Sequence, residues 1–141
     1  MENIKVTFLG TGTSQGVPVI GCECNVCQSI NPRDTRLRCS ILIQTKGKTI
    51  CIDTGPDFRQ QMLAAKVNEL DAVVYTHEHK DHTAGMDDVR AYNFKQKKPM
   101  DLFVNDDVEA CLKREFSYAF RENPYPGVPR LNLKRIENSP F

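Results

Sequence analysis

The three histidines of the 141-residue chain all fall in the window Thr76-His77-Glu78-His79-Lys80-Asp81-His82, which gives the pattern His-x-His-x-Asp-His. Neutral imidazole nitrogens and a carboxylate oxygen are donors that suit Zn²⁺, and a catalytic site leaves one position open for water. His77 and His79 are two residues apart, so in an extended segment leaving a strand they point to the same side and can bind one metal. Asp81 and His82, just past the turn, can face a second. Zinc lowers the pKa of its water to about 7, and two metals about 3.5–4 Å apart can hold that water while steadying a leaving oxygen. The chemistry implied is hydrolysis, with Asp81 both ligand and candidate proton acceptor. A plainer reading stays open for Asp81 taken alone, because it could cap a helix beginning near His82.

Cys22, Cys24 and Cys27 place three thiols within six residues of a polar loop. Three thiolates are three-quarters of a structural zinc site. No neighbour completes it, since every histidine belongs to the other cluster and Cys39 would have to fold back from a strand. The alternative is three free thiols, an oxidation risk in an exposed loop. Cys51 and Cys111 sit on apolar faces and read as core.

The rest of the chain has to position these groups. One domain is expected from its length, and 40% hydrophobic residues can build a modest core. Nineteen basic against eighteen acidic residues leave a net charge of +1, which gives no general pull toward nucleic acid or membrane. The opening Met1-Glu2-Asn3-Ile4-Lys5-Val6 lacks the layout of a secretion signal, and no segment approaches the ~20 apolar residues of a bilayer span. A cytoplasmic protein with reduced thiols and no membrane partner is therefore expected.

Ile4, Val6 and Phe8 alternate as a strand that stops at Gly10. From there to about Arg38 no period is visible, and Gly10, Gly12, Gly16, Pro18 and Gly21 mark a long loop of the kind that is usually functional. Residues 39–45 and 49–53 form a hairpin around Lys46-Gly47-Lys48. Pro56 opens a helix with Phe58, Met62 and Ala65 on one face, and Leu70 to Tyr75 is a buried strand ending at the histidine window. Met100 to Val104 is a strand, and Asn105 caps a helix carrying Val108, Leu112, Phe116 and Phe120. Pro124, Pro126 and Pro129 end that helix, and Leu131, Leu133 and Ile136 alternate as a last strand.

The His77-x-His79-x-Asp81-His82 pattern resembles the signature of the metallo-β-lactamase superfamily. That resemblance implies an α/β fold, an αββα sandwich with a mixed sheet and helices on one face of it, around a dinuclear zinc site. Asp53-Thr54-Gly55 is similar to the aspartate-containing strand end that in this superfamily supports the metal loop from behind the ligands, although Asp53 could equally bond local amides in a strand-ending turn. Phe8 to Ser14 and Gly16-Val17-Pro18 resemble the opening of the phosphodiesterase branch, which includes tRNA 3′-processing endonucleases and a phosphoribosyl cyclic phosphodiesterase. The glycine spacing is unlike a dinucleotide-binding fingerprint, which needs a helix directly after it. Thr13 and Ser14 could donate hydrogen bonds near a phosphate. The cysteine cluster is similar to one in the cyclic phosphodiesterase subgroup, where a later histidine is the fourth ligand. This chain has no such histidine.

The superfamily pattern continues with a further histidine, a metal-bridging aspartate and a final histidine, none found after His82. The sequence therefore reads as the N-terminal half of the sandwich, a truncated single domain over 1–141. Its parent would hydrolyse a small phosphodiester or RNA with two catalytic zinc ions, Mn²⁺ or Fe being alternatives, and one possible structural zinc at the cysteines. The isolated chain would be weak or inactive, and its uncovered sheet face favours a homodimer. A non-catalytic metal-binding module is the competing reading. So are a lactamase-like or thioesterase-like hydrolase, and a nucleic-acid module using Lys95-Gln96-Lys97-Lys98, Lys113-Arg114 and Lys134-Arg135.

Overall fold

Six strands line up in chain order in one mixed sheet. The computed structural model describes residues 3–136, so Met1 and Glu2 of the opening segment lie outside it. β1 (Lys5–Gly10), β2 (Ser40–Thr45) and β3 (Lys48–Ile52) pair antiparallel. From β3 onward, β4 (Ala72–Val74), β5 (Met100–Val104) and β6 (Leu131–Arg135) pair parallel. The β2–β3 turn needs only Lys46 and Gly47, both at positive φ (49° and 71°), which is the geometry whose twist matches a two-residue hairpin.

Cross-strand pairing sorts the side chains into two faces. Leu42, Cys51, Val73, Leu102 and Leu133 form one continuous row, and with Met100 and Val104 they meet the helices. The helices are α1 (Phe58–Ala64), α2 (Lys80–Thr83), α3 (Arg90–Gln96) and α4 (Asp106–Glu115). Phe58, Met62, Met86, Val89, Tyr92, Val108 and Leu112 come down on this face and complete a single core. Burying each such side chain is worth about 1.5–3 kcal/mol, so this face carries the stability. The opposite face carries Val6, Ile43 and Ile50 in one row and Phe8, Ile41, Ile52, Val74 and Phe103 in the next. Val6 and Phe8 remain 49% and 73% exposed there.

Two element expectations change. The helix after Asn105 stops at Glu115 instead of reaching Phe120, because Phe116 leaves helical geometry (φ −114°, ψ 37°) and a short 3-10 turn, Ser117–Phe120, follows. Phe116 and Phe120 still pack against the core, so the four-residue spacing was preserved without one continuous helix. The Asn105 cap is present, with Oδ1 accepting from the Val108 amide at 2.9 Å. The second change is α3, to which the hydropathy pattern assigns no element. It buries Tyr92 and the polar Asn93 while leaving Phe94 58% exposed, an arrangement that hides its period. Asn93 is satisfied by the carbonyls of Lys98 and Arg130 and the amide of Arg130.

Candidate metal centre

In a sheet with parallel strands, ligand sites form beyond the strands' carboxyl ends. Here β3 delivers Asp53-Thr54-Gly55 and β4 delivers Tyr75 to His82, side by side. The ladder runs slightly past the strands, as the Asp53 amide donates to the Val74 carbonyl and the Tyr75 amide to the Phe103 carbonyl, each at 2.9 Å. The chain then turns through the histidines, with His79 extended (φ −60°, ψ 150°) at the entrance to α2. Asp81 therefore lies in the first turn of α2 and caps nothing.

Asp53 lies beneath this loop, 3% exposed and at φ +64°. A non-glycine residue holds that conformation only when its surroundings dictate it. The carboxylate does not bond its own turn. Oδ1 accepts from the Thr76 amide at 2.8 Å, Oδ2 accepts from the Thr76 hydroxyl at 2.8 Å, and the same Oδ2 is 2.7 Å from His82 Nδ1. The Thr76 hydroxyl in turn stands 3.0 Å from His77 Nδ1.

Backbone contacts weld the two strand ends together. The Thr54 amide donates to the His82 carbonyl and the Gly85 amide to the Thr54 carbonyl, both at 2.8 Å. A Cβ on Gly55 would lie 2.2 Å from the Asp81 carbonyl oxygen, so only glycine fits there. Underneath, the buried Thr54 and Tyr75 hydroxyls share a 2.6 Å hydrogen bond. Burial pushes the Tyr75 phenol well above its usual range and the Cys51 thiol up to about 12, so both are inert packing groups. On the outer side, the Cys111 thiol reaches the Glu78 carbonyl at 3.4 Å and Lys80 pairs with Glu115, tying the loop to α4.

The four expected ligands meet as neighbours rather than as one cage. The His77 ring lies 4.6 Å from that of His79 and 4.1 Å from that of His82, centre to centre, and Asp81 Oδ2 is 3.2 Å from His82 Nε2. His77 thus touches both other rings, and Asp81 touches His82. Imidazole and carboxylate donors of this kind suit divalent cations such as zinc. Among the described residues the three-donor group is instead the cysteine cluster, where the Sγ atoms of Cys22, Cys24 and Cys27 all lie within 4.8 Å of one another. The Cys27 amide points at Cys24 Sγ (3.5 Å) and the Val19 amide at Cys27 Sγ (3.4 Å). The Cys27 amide first, and the Cys22 and Cys27 thiols after it, bring the Cys24 thiol down to about 7. Cys39 is exposed and stands outside this group.

Sequence reasoning gave no role to Thr76 or to Arg38. Arg38 makes a 2.9 Å ion pair with Asp57 at the start of α1, and its Nε donates to the Ser14 carbonyl at 2.8 Å. It thereby fastens the glycine-rich loop to the start of α1. Thr13 and Ser14 are exposed; Ser14, Gln15, Val19, Ile20 and Arg38 line a shallow pocket of about 330 Å³. The threonine directly before the first histidine was the available signal for Thr76; nothing local marks Arg38 and Asp57, nineteen residues apart.

Residues 48–140 match the Beta-lactamase superfamily domain, and the chain belongs to that family. It has the metallo-β-lactamase fold, in the form of one mixed sheet with helices on one face. A diphosphatase of the PhnP family is 42% identical, with a TM-score of 0.87 over 99% of this chain and 52% of that one. Zinc-bound PqqB from Methylobacterium extorquens is 22% identical (TM-score 0.70, 96% of this chain and 46% of that one). The short form of human tRNase Z is 18% identical (TM-score 0.63, 97% and 45%), and these two likenesses speak for the fold. An octanoyltransferase of Porphyromonas gingivalis (strain ATCC BAA-308 / W83) is 44% identical over 140 residues, which are 98% of this chain and 28% of that protein. The chain thus spans about half the length of the solved structures and a little over a quarter of the octanoyltransferase. Among the described residues no helix is long and apolar enough to cross a membrane.

Proposed function

We propose that this chain provides the first part of a dinuclear centre for hydrolysis of a phosphodiester or diphosphate, with zinc the preferred ion and Mn²⁺ or Fe the alternatives. His77 and His79 would hold one cation and Asp81 and His82 the other. When bound, the cations supply Lewis acidity and an activated water. The chain's own residues do the rest. Asp53 holds His82 and Thr76 in place, α2 orients Asp81 toward His82, and Asp81 would take up a proton. We further assign Cys22, Cys24 and Cys27 to a structural zinc ion, whose fourth ligand lies elsewhere.

The observation that supports the hydrolytic reading is the clustering of four metal-type side chains just past the carboxyl end of β4, in a chain 42% identical to a diphosphatase over nearly its whole length. The octanoyltransferase name weighs little against it, because 28% of that protein is matched. The extent of the match also bears on activity. With two ligands per cation, affinity falls steeply, and the 141-residue chain alone is expected to turn over little.

The test is metal analysis joined to turnover of bis(p-nitrophenyl) phosphate. The chain is expected to take up zinc at both clusters, to lose the weaker component in His77→Ala and Asp81→Ala, and to gain turnover when the remaining portion of the diphosphatase fold is added. Zinc uptake at the cysteines alone, with no turnover after that addition, would favour a non-catalytic metal-binding module.

A further inference from the structure

We propose that Thr76 is a positioning residue that fixes which nitrogen of His77 faces the metal, acting with Asp53, which does the same for His82. The inference rests on the reading of His77 and His82 as ligands, and deepens it.

It follows from counting protons. An ionised carboxylate accepts and cannot donate, while a threonine hydroxyl has a single proton to give. Asp53 Oδ2 takes that proton from Thr76 Oγ1 at 2.8 Å. The face of Oγ1 lying 3.0 Å from His77 Nδ1 must then accept, so Nδ1 carries a proton and the His77 lone pair is on Nε2. At His82 the carboxylate acts directly, since Oδ2 at 2.7 Å from Nδ1 requires a proton on that nitrogen, and Thr76 Oγ1, 3.5 Å from the same Nδ1, is the more distant neighbour. His82 Nε2 is then the atom offered to a cation, and it is the atom that Asp81 Oδ2 faces at 3.2 Å. One buried carboxylate therefore sets two rings, one of them through Thr76. His79 has no hydrogen bond to its ring among the described residues, and it serves as the internal comparison.

The preference is worth having because the neutral ring otherwise chooses its own tautomer, and a proton on the wrong nitrogen has to move before a metal can bind. The backbone does not depend on the hydroxyl: the Thr76 amide bond to Asp53 Oδ1 survives its removal, and valine keeps the β-branched shape.

The decisive experiment compares wild type, Thr76→Val and Thr76→Ser by long-range proton–nitrogen correlation of the imidazoles in the metal-free protein, with zinc affinity measured by competition with a chelator. Wild type should show His77 and His82 protonated on Nδ1. Thr76→Val should move His77 toward protonation on Nε2, leave His79 and His82 unchanged, and weaken zinc binding at the histidine cluster about 10–100-fold. Thr76→Ser should restore both readouts. A His77 protonated on Nε2 in wild type, or unmoved in Thr76→Val, overturns the proposal whatever the metal result. A His77 signal that shifts as described in a protein that never takes up zinc at the histidines overturns the metal-centre reading instead.

Discussion

At the scale of single residues, the Cys24 thiol is both exposed and activated. The amide of Cys27 and the neighbouring thiols stabilise its thiolate, which brings it down to about 7, whereas burial holds Cys51 up at about 12. Only the thiolate attacks, so at pH 7.5 iodoacetamide should modify Cys24 first and leave Cys51 untouched until the protein unfolds. The Cys24 rate should fall about tenfold for each pH unit below 7. Stoichiometric zinc should suppress the reaction, as read by peptide mass mapping; an unchanged rate would mean that the three thiols hold no metal. The thiol cluster and the histidine motif were both legible from residue type and spacing. What was not legible is the direction in which Asp53 points. A local turn and a long-range clamp need the same residue, and only the fold brings Thr76 and His82 to its carboxylate.

At the scale of elements, strands were easier to read than helices. β2, β3 and β5 alternate or run apolar because one or both faces are packed, β1 alternates although its apolar Val6 and Phe8 stay exposed, and the turn at Lys46-Gly47 announces itself. Helix α3 did not, because it is anchored by Asn93 bonding three backbone groups rather than by an apolar stripe. The approach of the two strand ends is likewise a tertiary fact, expressed in sequence only as a glycine after Asp53 and Thr54. That glycine is testable. Gly55→Ala would drive a methyl group to within 2.2 Å of the Asp81 carbonyl, so the metal loop has to retreat from β3. We expect a loss of about 1–3 kcal/mol in urea unfolding, as for other overpacked sites, together with weakened zinc uptake at the histidines. Normal stability and metal uptake would show that the contact between the two strand ends is dispensable.

At the scale of the whole molecule, the two faces of the sheet are in different situations. The helix face is closed over Leu42, Cys51, Val73 and Leu102, each 2% exposed or less. The other face sets Val6 beside Ile43 and Phe8 beside Ile41 and leaves both β1 side chains in water. A contiguous apolar surface of this kind is rare on a soluble monomer and marks a contact surface. We therefore expect the 141-residue chain to bind a hydrophobic dye and to self-associate with rising concentration in sedimentation velocity. The double variant Val6→Thr with Phe8→Lys should remain folded, because exposed positions contribute within about 0.5 kcal/mol, yet lose both behaviours. A stable homodimer needs roughly 1,000 Å² of buried surface, so removing the two most exposed members of the face should shift the association constant by at least tenfold if this face is the interface. If the variant associates as strongly as wild type, the contact lies elsewhere, and the exposed Ile20, Val26 and Ile30 of the cysteine loop become the surface to mutate next. If neither protein associates nor binds dye, the face is less adhesive than its composition implies, and the polar flank formed by Asp101, Asn132 and Lys134 is the feature that would account for it.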